Sequence, residues 1–167
     1  MAVFDGMRPG EILAIRLGNV FGKSVRIDQR VYYGNIDTPT GRRGKRTSRT
    51  VGLSPGMVAE LQMWRSLLLK HEPGSYLFPT ERETPIWRDN IWNRYMLPKL
   101  KKLGLEWATF QVLRRTNASL SREANIDDKV AADQRGHGLG VSLETYSIRS
   151  VKQKIDAGKR LETEVIQ

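Results

Sequence analysis

The sequence reads as an α+β domain, mostly helical with one small antiparallel sheet, and three observations predict that class. Val25, Ile27 and Val31 alternate with polar neighbours in the two-residue period of a strand, and a second β-like run, RTSRTVGLS, follows the Gly- and Arg-rich stretch GNIDTPTGRRGK. The second half of the chain instead carries apolar residues at helical spacing in three blocks, 88–104, 109–125 and 127–136. Between them, SPGMVAELQMWRSLLLK puts Ser54 at an N-cap position and Pro55 at the first helical residue.

The opening segment, MAVFDGMRPGEILAIRL, turns at Gly6 and restarts at Pro9 near a helix N-terminus, with Ile12, Leu13, Ile15 and Leu17 at helical spacing. The two β-like runs then form a hairpin with a long cationic tip. In the helix from Ser54, Val58, Leu61 and Trp64, with Met57 and Leu68 on the same side, make the core face. YLFP ends the connection to the later helices, which break at Gly104-Leu105-Glu106 and Asn125-Ile126-Asp127. The end of the chain, residues 150–167, carries a weaker apolar stripe of Val151, Ile155, Leu161 and Val165. Without repeats, low-complexity tracts or interdomain linkers, residues 1–167 read as one domain, a length that buries roughly two-thirds of the unfolded surface.

Charge narrows the function classes. The 28 Lys and Arg against 18 Asp and Glu give a formal net charge of +10, which favours a polyanionic partner, nucleic acid first. A membrane is disfavoured, since no apolar run approaches the ~18 residues of a spanning segment. The chain has no Cys, which excludes disulfides, thiolate catalysis and Cys-based zinc sites. The absence of a signal peptide and of Cys points to the cytoplasm, at the nucleoid for a DNA-acting protein. The two histidines, His71 and His137, lie far apart, so no metal site is expected.

Two arginines stand in unusual places. Arg8 lies between Gly6-Met7 and a helix start, and Arg114 lies inside a helix. A planar guanidinium grips two phosphate oxygens at once and stays charged at any biological pH. Further on, GHGLGVSLETY delivers an imidazole, His137, and a phenol, Tyr146, from one segment. Taken singly, each arginine also fits a surface ion pair and the tyrosine also fits a core ring with a satisfied hydroxyl. The order Arg, Lys, Arg, His, Tyr over this length is what makes the set informative.

That order resembles the catalytic domain of the tyrosine recombinase, or phage integrase, family. GMRPGEILAIRLGNV resembles the family's first box, which assigns Arg8 as a catalytic arginine and Glu11 as its supporting partner. GKRTSRTVGLS resembles the basic β-hairpin that carries the family lysine, which points to Lys45; an alignment through TPTG would instead put Thr40 in that place. FQVLRRTNASL resembles the second box, usually His-x-x-Arg, which assigns Arg114 and leaves Gln111 where the histidine usually stands. RGHGLGVSLETY resembles the last box, with His137 and the nucleophile Tyr146.

The resemblance implies a DNA strand exchange without metal or other cofactor. Arg8, Arg114 and His137 would stabilise charge on the non-bridging oxygens of a pentacoordinate phosphorus, Tyr146 would attack it, and Lys45 would protonate the leaving 5′ oxygen. An amide at Gln111 donates or accepts a hydrogen bond but cannot shuttle a proton near neutral pH. The implied partners are double-stranded DNA and further copies of the chain, as a homo-oligomer that is a tetramer on DNA and a monomer when the domain is isolated. Residues 150–167 resemble the tail that docks on a neighbouring protomer, and the family's N-terminal clamp domain is absent from the sequence, which reads as a fragment. Hairpin cations Arg42, Arg43, Arg46 and Arg49, with Lys99, Lys101 and Lys102, are expected on backbone phosphates, and Trp64, Trp87, Trp92 and Trp107 in the core. Two other readings use the same residues: a type IB topoisomerase-like enzyme, and a DNA-binding remnant without turnover, to which Gln111 and the missing half point.

Overall fold

Val25 and Val51 face each other across the central strand pair of the protein, and the pairing follows from the alternation read in the sequence. The computed structural model describes residues 1–39 and 48–136. Strand β1 (Val20–Phe21) pairs antiparallel with β2 (Ser24–Ile27), and β2 pairs with β5 (Arg49–Gly52), giving a three-stranded sheet of order β1-β2-β5. Val25, Ile27 and Val51 point to one face and are buried there, as a two-residue period requires. Between β2 and β5 the hairpin is long, as expected. It also contains a second small hairpin, β3 (Arg30–Tyr32) with β4 (Asn35–Asp37), closed at Tyr33-Gly34.

The first helix, α1 (Pro9–Leu13), is shorter than the apolar spacing suggests. Past Ala14 the chain instead runs through Ile15 and Arg16 beside residues 75–77 and enters a 3-10 turn at Leu17, with the Leu17 N–H donating to the carbonyl of Ser75 and the Leu77 N–H to that of Ile15. A helix continued through residue 17 would lose those two bonds and pull Leu77 out of the core, where it packs with Met7, Ile15, Leu17, Val25, Ile27, Val51, Leu53 and Leu61. Helix α2 (Pro55–Ser66) starts where the sequence placed it, with Ser54 Oγ accepting from Met57 N–H. Of its expected core face, Leu61 is buried and Met57, Val58 and Leu68 pack at the edge of the core.

The block at 88–104 is helical but not uniformly so. It comprises α3 (Arg88–Ile91), a π-turn (Trp92–Met96) and α4 (Leu97–Lys102). Pro98 has no N–H to give to the preceding turn, and the wider ring, in which Leu97 N–H donates to Trp92, absorbs the break. Helix α5 (Phe110–Glu123) is capped by Thr109, and α6 (Asp128–Arg135) by Asp127, whose carboxylate accepts from the amides of Lys129 and Val130. Gly136 ends α6 in the left-handed region, φ 65°. No helix among the described residues is long and apolar enough to cross a membrane.

The tryptophans depart from the sequence expectation. Trp107 is 62% exposed, Trp64 and Trp87 are exposed too, and Trp92 is half-buried against the Phe110 ring. The core is built instead from aliphatic residues and Met7. Trp64 lies at its margin because its indole N–H must reach a partner, and it donates to the carbonyl of Leu77 at 2.7 Å.

Candidate active site

Glu11 is the hub of the site. It occupies the first turn of α1 and is 1% exposed, with both carboxylate oxygens engaged. Oε2 accepts from the backbone N–H of Arg8 at 2.9 Å, which caps the helix, and Oε1 accepts from Arg8 Nη1 at 2.9 Å. Arg49, arriving from β5, closes a two-pronged grip, with Nη1 at 2.8 Å from Oε1 and Nη2 at 2.7 Å from Oε2. Burial pushes the Glu11 carboxyl up, but the hydrogen bonds and charge of Arg49, with those of Arg8, more than offset it and hold the pKa at about 2. The group is therefore a fixed anion between two cations.

The arginines in turn hold the end of α6. Arg8 Nη2 donates to the carbonyl of Gly136 at 3.3 Å, and Arg49 Nε donates to that of Gln134 at 3.4 Å. Arg114, from the second turn of α5, donates through Nη1 to the carbonyl of Gly6 and through Nη2 to that of Arg135. Arg114 is 8% exposed, whereas the side chain of Arg8 is 42% exposed and can meet a ligand while still bound to Glu11. Asn117, one turn after Arg114, supports this arrangement from below: it donates to the carbonyl of Phe4 at 3.1 Å and accepts from Arg135 Nη1 at 3.4 Å. Gly6 must be a glycine for this packing. Its φ is +62°, and a Cβ there would lie 2.6 Å from Arg135 Cγ and 2.7 Å from Asn117 Oδ1.

The residues predicted from the sequence divide into three groups. Arg8, Glu11 and Arg114 come together around residues 134–136. Gln111 lies on the first turn of α5, exposed, and has no side-chain hydrogen bond among the described residues. Lys45, His137 and Tyr146, with Thr40 and the hairpin cations Arg42, Arg43 and Arg46, lie outside the described residues, as does the tail 150–167. Arg49 differs from the expectation of a phosphate-facing cation: it is turned inward onto Glu11, and its side chain is 16% exposed. Its position was legible in the strand period, because Arg49 stands two residues before the buried Val51 and opposite the buried Ile27. Gln134 was not singled out by any motif. Its side-chain amide accepts from Gly52 N–H at 3.0 Å and donates to Gly52 carbonyl at 2.6 Å, fastening α6 to the outer edge of β5.

The fold is that of the tyrosine recombinases. It is similar to the XerA recombinase (TM-score 0.67, 18% identity, 95% of this chain and 54% of that one) and to the Tn1549 transposon integrase in complex with a circular intermediate DNA (TM-score 0.75, 16% identity, 96% and 56%). It is also similar to the XerH site-specific recombinase bound to difH substrate in a pre-cleavage complex (TM-score 0.64, 18% identity, 95% and 43%). The chain thus spans about half the length of the solved structures it matches. No curated protein matches it. The model of the phage integrase family matches residues 1–151, and the chain belongs to that family.

Proposed function

We propose that the chain is the catalytic domain of a site-specific DNA recombinase or integrase that cleaves and rejoins strands through a 3′-phosphotyrosine. The observation that carries the reading is the convergence of Arg8 and Arg114 on the end of α6, the helix that leads directly into His137. In this reading Tyr146 Oη attacks the phosphorus and its proton passes to solvent water. The phosphorus–5′-oxygen bond breaks, and Lys45 gives the leaving 5′ oxygen a proton. Charge growing on the non-bridging oxygens is met by Arg8 and Arg114, which the site already holds in place, and by a hydrogen bond from His137. Attack by a 5′-hydroxyl of another strand reverses the step and exchanges strands without an external energy source.

The partner is double-stranded DNA, with Arg42, Arg43, Arg46, Lys99, Lys101 and Lys102 on its phosphates, and the working assembly is a homo-oligomer, a tetramer on DNA, in the cytoplasm at the nucleoid. Residues 1–167 act as the catalytic domain, and 150–167 as a tail that docks on a neighbouring copy. The test is a nicked suicide substrate incubated with excess protein. A denaturant-resistant protein–DNA adduct is expected from the parent and none from Tyr146→Phe, with DNA binding retained by both. An adduct that persists in Tyr146→Phe overturns the assignment of the nucleophile. A parent that binds DNA without forming one favours the remnant reading, and relaxation of plasmid without a preferred crossover site favours the topoisomerase reading.

A further inference from the structure

Arg49 makes more contacts with the site than a surface cation of a hairpin needs. From the start of β5 it grips both oxygens of Glu11 at 2.7 and 2.8 Å, donates through Nε to the carbonyl of Gln134, and packs against Gly136. The last contact is close. A Cβ at Gly136 would stand 2.7 Å from Arg49 Cζ and 2.8 Å from its Nε and Nη1, at a φ of +65° that already disfavours a side chain. The guanidinium therefore occupies the space where most residues would carry a β-carbon.

These contacts join three separate parts of the chain. Glu11 holds Arg8 at the head of α1; Gln134 and Gly136 end α6; and Arg49 itself begins the strand that returns from the long hairpin tip. Without Arg49, Glu11 keeps only Arg8, whose side chain is far more exposed and is bound to one carboxylate oxygen through a single side-chain bond. The bidentate geometry is specific to arginine, since a lysine ammonium is a point charge and reaches one oxygen well.

We propose that Arg49 is a positioning residue: through Glu11 and Gly136 it fixes the aim of the Arg8 guanidinium relative to the end of α6. The proposal rests on the strand-cleavage reading for its consequence in activity and on geometry alone for its consequence in structure. Arg49 touches neither DNA nor the reacting phosphate in this role; it acts by holding Arg8. Misplacement of a catalytic group by about 1 Å costs on the order of 100-fold in rate, which sets the scale of the effect.

The experiment uses the full chain and two variants, Arg49→Met, which keeps the aliphatic bulk, and Arg49→Lys, which keeps the charge. Single-turnover cleavage of the nicked substrate is expected to fall about 100-fold in Arg49→Met and about tenfold in Arg49→Lys. In an Arg8→Ala background the same Arg49→Met change is expected to cost less than threefold, because its route of action has already gone. A second readout, the guanidinium signals of Arg8 in arginine-labelled protein, is expected to show a single ordered environment in the parent and averaging in Arg49→Met, with Arg49→Lys between them. Equal losses for Arg49→Met in both backgrounds would show a general structural role and overturn the proposal. So would an unchanged Arg8 spectrum in folded Arg49→Lys and Arg49→Met. If the parent forms no adduct yet Arg8 loses order in the variants, the cleavage reading fails and the positioning role stands. If Arg49→Met does not fold, the Arg49→Lys arm decides by the same two measurements.

Discussion

Arg8 and Arg114, 106 residues apart in the sequence, donate to consecutive carbonyls, those of Gly136 and Arg135. The two differ in what else depends on them. Arg114 is buried and donates to two main-chain oxygens, so Arg114→Ala is expected to cost about 1–3 kcal/mol in stability and, in the strand-cleavage reading, about 2–4 kcal/mol of transition-state stabilisation. Arg8→Ala is expected to lose a similar share of cleavage with a smaller loss of stability. Urea unfolding paired with single-turnover cleavage separates the two terms for each variant, and equal stability losses would contradict the burial difference.

Gln111 stands one turn before Arg114 and is exposed at the start of α5. Its replacement is expected to leave stability within about 0.5 kcal/mol, as for surface positions generally. Gln111→His is expected to be tolerated in cleavage, and Gln111→Ala to lower it by no more than the about 0.5–1.5 kcal/mol of a neutral hydrogen bond. A loss as deep as that of Arg114→Ala, measured on the same substrate, would make the amide essential.

Glu11 gives the fold an acid limit. Its native pKa of about 2 lies below the 4.5 of an ordinary glutamate, so the charged form is favoured by folding. That contribution is complete above about pH 4.5 and falls away as the pH drops towards 2, for a total of about 3 kcal/mol. Asp5, pushed up by burial, acts with the opposite sign and tempers the slope. Glu11→Gln is expected to be less stable than the parent at neutral pH and to show a shallower decline in unfolding free energy between pH 5 and pH 2, as followed by denaturant titration at each pH. Parallel curves for parent and variant would mean that another carboxylate sets the limit.

Gly6→Ala introduces both a left-handed backbone penalty and a contact with Arg135 and Asn117 closer than van der Waals separation. A loss of about 2 kcal/mol or more follows, and because Gly6 supplies an acceptor of Arg114, cleavage is expected to fall further than stability alone explains. Thermal unfolding and cleavage at a temperature where the variant is fully folded test the two parts separately.

Gln134→Ala removes both bonds to Gly52 at the edge of β5. The expected loss is about 1–2 kcal/mol, and the Gly52 amide is expected to lose its protection from hydrogen exchange, a local signature that a general weakening of the core does not give.

Much of this fold is legible in the sequence. Ser54 and Pro55 mark the start of α2, Thr109 and Asp127 cap the helices that the apolar spacing outlines, and Val25, Ile27 and Val51 give the buried face of the sheet. What escaped the sequence has physical reasons. The small β3–β4 hairpin turns at Tyr33 and Gly34, both at positive φ, 46° and 77°, and a tyrosine is not a residue from which such a turn is anticipated. Helical spacing continues through Ile15 and Leu17, yet main-chain bonds to residues 75–77 win over it, and such partners, 58 to 62 residues distant, leave no local trace. Of the side chains that converge around residues 134–136, Arg8, Glu11 and Arg114 are the ones that the boxes single out. Arg49 drew the wrong environment because its charge suggested solvent, while its phase with Val51 pointed inward. Gln134 forms its pair with a backbone group, and backbone groups carry no residue signature.

The bonds that assemble the site have very long sequence separations: 108 residues from Arg114 to Gly6 and 128 from Arg8 to Gly136. Loop closure must be met before such contacts contribute, so they belong to the late, high-contact-order part of folding. On the ribosome, where the amino-terminal part emerges first, Arg8 and Glu11 are exposed to solvent long before α6 has been made. During synthesis the cationic residues of the hairpin are therefore present well before the contacts that hold Arg8 and Arg114 at the end of α6 can form.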